Sequence, residues 1–416
     1  MRLKGSFNPP GDKSISHRVG LFSLLAAGAC RVENYAPGAD CASTLGAVAA
    51  LGGGVEKDGR DILLQGRQGR LVAEASVDCG NSGTTLRLLM GLLAGRPGRY
   101  TLDGDESLRR RPMERVAAPL RLMGAEVATS HGRPPVAIQG RALSGIDYAL
   151  PVASAQLKSA LLLAGLQADG PTTVREPGPS RDHSERLLVR CGARIAQGRG
   201  WVRVEPSAIR LPERLRVPGD ASSAAFFLCA AALIPGSDVI AEGVLLNPTR
   251  IGFLDVLRRM GADLSVERQG DEPEEWGRAR VAFGPRLRAT TIAAAEVPAL
   301  VDEVPILALA ASQAQGKTVF QGVGELRVKE SDRLAAIASQ LGAMGARLAA
   351  EGDELVVEGP TPLIAPTALD SFGDHRIAMT LRLAGLLAGG EPAIAGEQCA
   401  AISYPGFAAD LRALLA

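Results

Sequence analysis

Six long apolar runs punctuate the chain, and each opens on a short polar turn. They read PPGDKSISHRVGLFSLLAAG, DCGNSGTTLRLLMGLLAG, PVASAQLKSALLLAG, VPGDASSAAFFLCAAALIPG, VPALVDEVPILALAASQAQG and SFGDHRIAMTLRLAGLLAGG. Their polar anchors, Asp12, Asn81, Ser154, Asp220, Asp302 and Asp374, lie 66 to 82 residues apart. A run that is apolar on nearly every side predicts a buried helix, and the polar turn supplies its N-cap. A second phrase keeps the same period: VAALGGGV, LRLMGAEV, LVRCGARI, LRRMGADL and LGAMGARL place glycines at 52, 124, 192, 261 and 345. It reads as a second helix ending on the residue type best suited to a left-handed C-cap. Alternating segments such as AEVATS and ADLSVER follow, then stretches such as PPVAIQGRAL and ELVVEGPTPL, all read as strands. Each repeat is therefore helix, strand, helix and two or three strands, which places the chain in the α/β class.

The sixth repeat is expected to stop early, because its closing glycine falls due where the chain ends at Ala416. At the other end MRLKGSFNPP belongs to no repeat. The economical arrangement has the N-terminal strand complete the C-terminal repeat. The chain would then cross between halves twice, at the two Pro-Gly-Asp phrases Pro10–Asp12 and Pro218–Asp220. Taken alone, Pro-Gly-Asp is an ordinary turn.

Composition narrows the functions. The 416 residues suffice for two or three domains. With 46% hydrophobic and 22% charged residues the chain reads as soluble and globular. A net charge of +1 gives no global field for nucleic acid or an anionic membrane, and 4% aromatic residues argue against base-stacking platforms. Cys30, Cys41, Cys79, Cys191, Cys229 and Cys399 are scattered, without zinc or redox spacing, and suit a reducing compartment. The first residues lack the apolar core of a signal peptide, and no run of about 18 apolar residues occurs, so a cytoplasmic protein is expected.

Function should show where the repeats differ. The first helix start carries Lys13, Ser14 and Arg18; the second Asn81, Gly83, Thr84 and Arg87; the third Ser154, Gln156 and Lys158. The fourth has only Asp220 and serines, the fifth Asp302 and Glu303, and the sixth Asp374, His375 and Arg376. Helix starts present free N–H groups and a positive dipole end to anions, and lysine and arginine add full charges. The spacing around Lys13 is not that of a P-loop. Pro112 at the first turn of a helix would aim Arg111 at that helix start. Ser180 and Arg181 precede another helix. On a helix, Lys329 and Arg333 would share a face, and Glu330 would pair with Arg333. Each cluster alone reads as a solvated or capped helix end; together they point to a site for several anions. Asp302 and Glu303 interrupt an apolar run, as first-turn carboxylates or as proton acceptors in a partly dry site. The four histidines, at 17, 131, 183 and 375, form no metal-ligand spacing.

At these residues the chain resembles the 5-enolpyruvylshikimate-3-phosphate synthase family along its whole length. The motifs PGDKSISHR, GNSGTTLRLL, RRRPMERV, VASAQLKSALLLAGL, SRDHSERLL, PGDASSAAFFL, ELRVKESDRLAA and FGDHRIAM match in order and spacing. The resemblance implies two similar domains, each of three βαβαββ repeats, an inside-out α/β barrel closing over the substrates. It groups the repeats into residues 12–218 and residues 1–11 plus 219–416, with hinges near 10–12 and 218–220. It implies transfer of the enolpyruvyl group of phosphoenolpyruvate to the 5-hydroxyl of 3-phosphoshikimate, with release of phosphate, by a monomer that needs no cofactor or metal. Carried over motif by motif, Lys13, Ser14 and Arg18 bind substrate, with Lys13 touching both and counted among the catalytic residues with Asp302 and Glu330. Asn81, Gly83 and Arg111 belong to phosphoenolpyruvate, and Ser154, Ala155, Gln156, Arg181 and Lys329 to 3-phosphoshikimate. Asp302 is the proton acceptor at the 5-hydroxyl, and Glu330 handles the proton at the enol methylene. Arg333 and Arg376 clamp phosphoenolpyruvate, with His375 adjacent.

The chain departs from the family pattern in places. Ile402 stands where some members carry a lysine, Leu88 where many have proline, and SRDHSE replaces a tyrosine-containing version. These differences bear on sensitivity to the inhibitor glyphosate rather than on the reaction. A sister transferase of the same fold acts on UDP-N-acetylglucosamine, but it has Lys-Asn where this chain has Lys13-Ser14, and a reactive-loop cysteine. A non-catalytic repeat scaffold would present similar surfaces on all six repeats, which the unequal helix starts contradict.

Overall fold

The repeat in the polar and apolar pattern is the unit from which the structure is built. The computed structural model describes residues 1–59, 61–284 and 286–416. After a first strand, β1 (Lys4–Phe7), repeat one comprises α1 (Lys13–Phe22), β2 (Ala29–Glu33), α2 (Ala39–Ala50), β3 (Gly54–Asp58), β4 (Asp61–Gln65) and β5 (Glu74–Asp78). Repeat two has α3 (Gly83–Ala94), β6 (Gly98–Asp103), α4 (Glu106–Arg109), α5 (Glu114–Leu122), β7 (Glu126–Ser130), β8 (Arg133–Gly140) and β9 (Asp147–Ala149). Repeat three has α6 (Ala155–Gly165), β10 (Thr172–Arg175), α7 (His183–Arg190), β11 (Ile195–Gly198), β12 (Trp201–Val204) and β13 (Arg214–Arg216). Repeat four has α8 (Ala221–Leu233), β14 (Asp238–Leu245), α9 (Gly252–Arg259), β15 (Asp263–Gly270), β16 (Trp276–Ala282) and β17 (Thr291–Ile292). Repeat five has α10 (Val304–Gln313), β18 (Gly316–Phe320), α11 (Arg333–Ala343), β19 (Arg347–Glu351), β20 (Glu354–Gly359) and β21 (Ala368–Asp370). Repeat six has α12 (His375–Leu387), β22 (Ala393–Ala395) and α13 (Phe407–Leu414).

Packing divides the chain into a continuous unit, Gly11–Val217, and a split unit, Met1–Pro10 with Pro218–Ala416. Every sheet follows one rule. In each, the closing strand of one repeat runs parallel to the first strand of another, and in the five four-stranded sheets that first strand also pairs with an antiparallel hairpin. In the continuous unit the orders are β13-β2-β4-β3, β5-β6-β8-β7 and β9-β10-β12-β11. In the split unit they are β1-β14-β16-β15, β17-β18-β20-β19 and the two-stranded β21-β22. Strand β1 thus takes the closing-strand place beside β14, with Lys4 opposite Asp238 and Phe7 opposite Ala241. Phe7 meets Phe227 of α8 edge-on at 5.1 Å, and Phe227 stacks on Phe407 of α13 at 5.2 Å. This aromatic cluster ties the first strand and the last helix to the same buried helix.

The caps explain where the helices start and stop. Asp12, Ser82, Ser154 and Asp220 accept from the backbone N–H groups of Ile15, Thr85, Leu157 and Ser223, and Asp374 from that of Arg376. The cap of α3 is therefore Ser82, one residue after the Asn81 anchor. Helix α10 has no side-chain cap; a 3-10 turn, Val301–Glu303, feeds it. The glycines at 52, 124, 192, 261 and 345 all have φ between 87° and 101°, the left-handed region that a side chain resists.

The core of each unit is a bundle of its first-phrase helices. Every residue of α8 is buried, and α8, α10 and α12 pack on one another. In the continuous unit α3 packs against α1 and α6. Each fully buried leucine or phenylalanine contributes roughly 1.5–3 kcal/mol. The α3–α6 approach is close enough to demand a glycine, because a Cβ on Gly91 would lie 2.0 Å from the carbonyl oxygen of Ala160. Among the described residues no helix is long and apolar enough to cross a membrane.

Two glycine-to-alanine changes should therefore have opposite signs. Gly46, in mid-α2, is exposed, and an added Cβ meets nothing within 4 Å. Gly46→Ala should stabilise by about 0.5–1 kcal/mol, and Gly91→Ala should destabilise by about 1–3 kcal/mol. Urea unfolding of the two variants checks this; a stabilising Gly91→Ala would contradict the packing.

Candidate active site

In the continuous unit the three helix starts carry cations held by polar side chains. Lys13 Nζ lies 2.7 Å from Asp40 Oδ2 on α2. Arg18, buried one turn further on, is held from three sides. Its Nε donates to Ser184 Oγ (2.7 Å), its Nη2 to Ser159 Oγ (2.9 Å) and its Nη1 to the carbonyl of Ser14 (2.9 Å). Ser159 in turn donates to the carbonyl of Ala155, so α1 is tied to the start of α6 and, through Ser184, to α7.

Asn81 bridges two groups. Its Nδ2 donates to Asp105 (2.8 Å), and its Oδ1 accepts from Arg111 Nη2 (3.1 Å). A Cβ on Gly83 would lie 2.9 Å from Arg87 Nη1 and 3.3 Å from Arg111 Nη1, so both guanidiniums lie against the start of α3. Gln156 joins that start to α6, accepting from Arg87 Nη1 (2.6 Å) and donating to Thr84 Oγ1 (2.9 Å). Ser154 caps α6, and Lys158, only 2% exposed, lies 2.7 Å from both Glu176 and Glu185. Burial alone would lower the Lys158 pKa, but Glu185 and Glu176 raise it, so the ammonium stays charged. Glu176 also accepts from Ser180, which fixes the turn that carries half-buried Arg181 into α7.

In the split unit the helix starts are mainly acidic, and one arginine organises them. The Arg333 side chain is 1% exposed. Its Nε donates to Asp374 Oδ2 (2.7 Å), its Nη1 to Asp302 Oδ1 (3.2 Å) and its Nη2 to Glu330 Oε2 (2.6 Å). Burial opposes its charge, but Asp374, Glu330 and Asp302 outweigh that and raise its pKa. Burial would likewise raise the pKa of Asp374, but Arg333 holds it below the usual carboxylate range. Asp374 is fully enclosed, whereas the Asp302 and Glu330 side chains stay 16% and 22% exposed. Arg376 reaches the carbonyl of Asp302 (3.2 Å), and its guanidinium lies 3.7 Å from the Asp302 carboxylate and 3.8 Å from Glu303. Glu303 accepts from Ser222 of α8, and Arg250 donates to Ser222 and Asp220. His375 is buried at the first position of α12.

Two local expectations are corrected. Helix α5 begins at Glu114, so Pro112 lies outside it, and Arg111 is placed by Asn81 and Ser107 instead. Lys329 and Arg333 share no helix: Lys329 ends a 3-10 turn, and Asp332 caps α11 at Arg333. Lys329 consequently turns to Glu325 (2.6 Å) and takes no part in the Arg333 cluster. Ile402 ends a 3-10 turn, Glu397–Ile402. The pattern of motifs missed Asp40, Ser82, Ser159, Ser184 and Glu176 as partners of the named residues. The signal available for Ser82 was its aptness as an N-cap; the others carry no local signature.

The chain matches the family model described as EPSP synthase (3-phosphoshikimate 1-carboxyvinyltransferase) over residues 1–411. It is 48% identical over 420 residues to the 3-phosphoshikimate 1-carboxyvinyltransferase of Desulforudis audaxviator, covering 99% of this chain and 97% of that one. It is 44% identical over 410 residues to the Bacillus licheniformis protein of the same name, covering 97% and 96%. Among solved structures, EPSP synthase from Acinetobacter baumannii superposes with a TM-score of 0.89 at 40% identity, over 99% of this chain and 96% of that one. The enolpyruvyl transferase NikO from Streptomyces tendae shares the fold, with a TM-score of 0.82 at 22% identity over 99% and 95%. The chain belongs to the EPSP synthase family.

Proposed function

We propose that this protein transfers the enolpyruvyl group of phosphoenolpyruvate to the 5-hydroxyl of 3-phosphoshikimate and releases phosphate. The observation that carries this reading is the attachment of Asp302 and Glu330, from different elements, to one buried guanidinium, with both carboxylates still partly open. The reaction needs two such groups. A proton is added to C3 of phosphoenolpyruvate, which leaves C2 electrophilic. The substrate 5-hydroxyl loses its proton and its oxygen bonds to C2, giving a tetrahedral intermediate. The C2–O bond to phosphate then breaks as a proton leaves C3, and the enol ether remains. Asp302 takes the hydroxyl proton, and Glu330 gives a proton to C3 and then takes one of the resulting methyl hydrogens.

The cations answer the charge of the substrates, each of which carries a carboxylate and a phosphate. Lys13, Ser14 and Arg18 bind substrate; Asn81, Gly83, Arg111, Arg376 and Arg333 serve phosphoenolpyruvate; Ser154, Ala155, Gln156, Arg181 and Lys329 serve 3-phosphoshikimate, with His375 beside Arg376. Three of the five N–H hydrogens of Arg333 go to carboxylates. Fixed charges of this kind stabilise developing charge without reorganising during the reaction.

Phosphate should be released from phosphoenolpyruvate with 3-phosphoshikimate and not with UDP-N-acetylglucosamine; the reverse result would refute the assignment. Asp302→Asn should lower kcat by about a hundred-fold to ten-thousand-fold with little change in either KM, because general-base help is realised in the transition state. Steady-state kinetics checks this, and unchanged kcat would remove Asp302 from the proton transfer.

A further inference from the structure

A buried line of four side chains in the continuous unit takes no part in the roles above. His17 of α1 is almost wholly enclosed, and its Nδ1 lies 2.6 Å from Thr44 Oγ1 of α2. Thr44 Oγ1 lies 2.6 Å from Thr85 Oγ1 of α3, which donates to Ser82 Oγ at 2.7 Å. Ser82 also accepts from the backbone N–H of Thr85 (3.1 Å), and Thr44, Thr85 and Ser82 are all buried.

The hydrogens follow by elimination, since each hydroxyl has one to give. Thr85 spends its hydrogen on Ser82. The short Thr44–Thr85 contact must then hold the hydrogen of Thr44, because two oxygens that close with none between them repel. The carbonyl of Asp40, at 3.4 Å from Thr44 Oγ1, is too distant to compete. Thr44 can only accept from His17, so His17 carries its hydrogen on Nδ1. Its buried Nε2 has no hydrogen-bond partner, which suits a bare lone pair better than an N–H. Burial depresses the His17 pKa to about 3, against the attraction of Asp40, and keeps the ring neutral. The line ends at Ser82, which accepts twice and donates to no group among the described residues.

We propose that Ser82 gives its hydroxyl hydrogen to an anionic group of phosphoenolpyruvate at the start of α3, and that His17, Thr44 and Thr85 are positioning residues that keep that hydrogen available. This rests on the assignment of Asn81, Gly83 and Arg111 to phosphoenolpyruvate. Run in the opposite direction, the same line would spend the Ser82 hydrogen on Thr85 and present a lone pair to the anion. The line also registers α1, with Lys13 and Arg18, against α3.

The His17 tautomer can be read by 15N NMR on the ligand-free protein, with the resonance assigned by its loss in His17→Gln. Hydrogen on Nδ1 alone at neutral pH is expected. Hydrogen on Nε2, or on both nitrogens, overturns the proposal whatever the substrates prove to be. Ser82→Ala and Thr44→Val should each raise KM for phosphoenolpyruvate about ten-fold, the loss of a donor to a charged group, and leave KM for 3-phosphoshikimate unchanged. Thr44→Ser should restore the wild-type value. An unchanged KM for phosphoenolpyruvate, or an equal rise in both KM values, overturns the proposal. A wild-type protein that turns over neither substrate would instead defeat the transfer reading, and the tautomer result would still decide the hydrogen-bond line.

Discussion

A guanidinium withdrawn from water must keep its counter-charges, because removing one partner of a buried pair costs about 3–5 kcal/mol. Arg333 meets that demand with three carboxylates at once, and the local architecture of the split unit follows from them. Asp374 caps α12 while it accepts from Arg333. Asp302 lies in the turn that feeds α10, and Glu330 in the turn before α11. One side chain thereby fixes two helix starts and holds two partly open acids in reach of chemistry. Arginine suits this place because its planar fork carries donors on three nitrogens.

The two units use one repeat for different purposes. In the continuous unit the helix starts hold Lys13, Arg18, Arg87 and Arg111, steadied by hydroxyls, amides and Asp40. In the split unit the equivalent starts carry Asp220, Asp302, Glu303 and Asp374, and arginines from later elements answer them. The two Pro-Gly-Asp phrases show the contrast at one position. Both aspartates cap a buried helix. After the first comes Lys13; after the second comes Ala221, which is fully buried, and then Ser222, which donates to Glu303 and accepts from Arg250. The repeat is thus a common scaffold, and the charged groups at the helix starts are where its copies differ.

Much of this was legible in the pattern of residues. The period, the buried helices, the left-handed glycines and the α/β class all follow from local rules that act within a few residues. The family motifs named the charged groups that the structure gathers around Arg333. What was not legible depends on contacts between distant elements. The repeat count assigns the N-terminal strand to the C-terminal half but does not name its partner, because the pairing of β1 with β14 joins residues far apart in sequence. Asn81 and Ser82 are equally good cap residues, and only the backbone geometry selects Ser82. The run KESDRL can be drawn as a continuous helix, but Asp332 interrupts it, because its side chain bonds the Ala335 N–H and starts α11 afresh. That break sends Lys329 to Glu325 and turns Arg333 inward.

The central claim is that enolpyruvyl transfer proceeds by adding a proton to C3 and then removing one, the step proposed for a carboxylate held by Arg333. Running the reaction in D2O tests it directly. If a proton is added to C3 and then removed, the carbon passes through a methyl group, and deuterium must enter the enol methylene of the product. Mass and NMR analysis of product from the wild-type protein should show that label. Product formed in D2O with an unlabelled methylene would contradict the account, because no proton would have been added at C3.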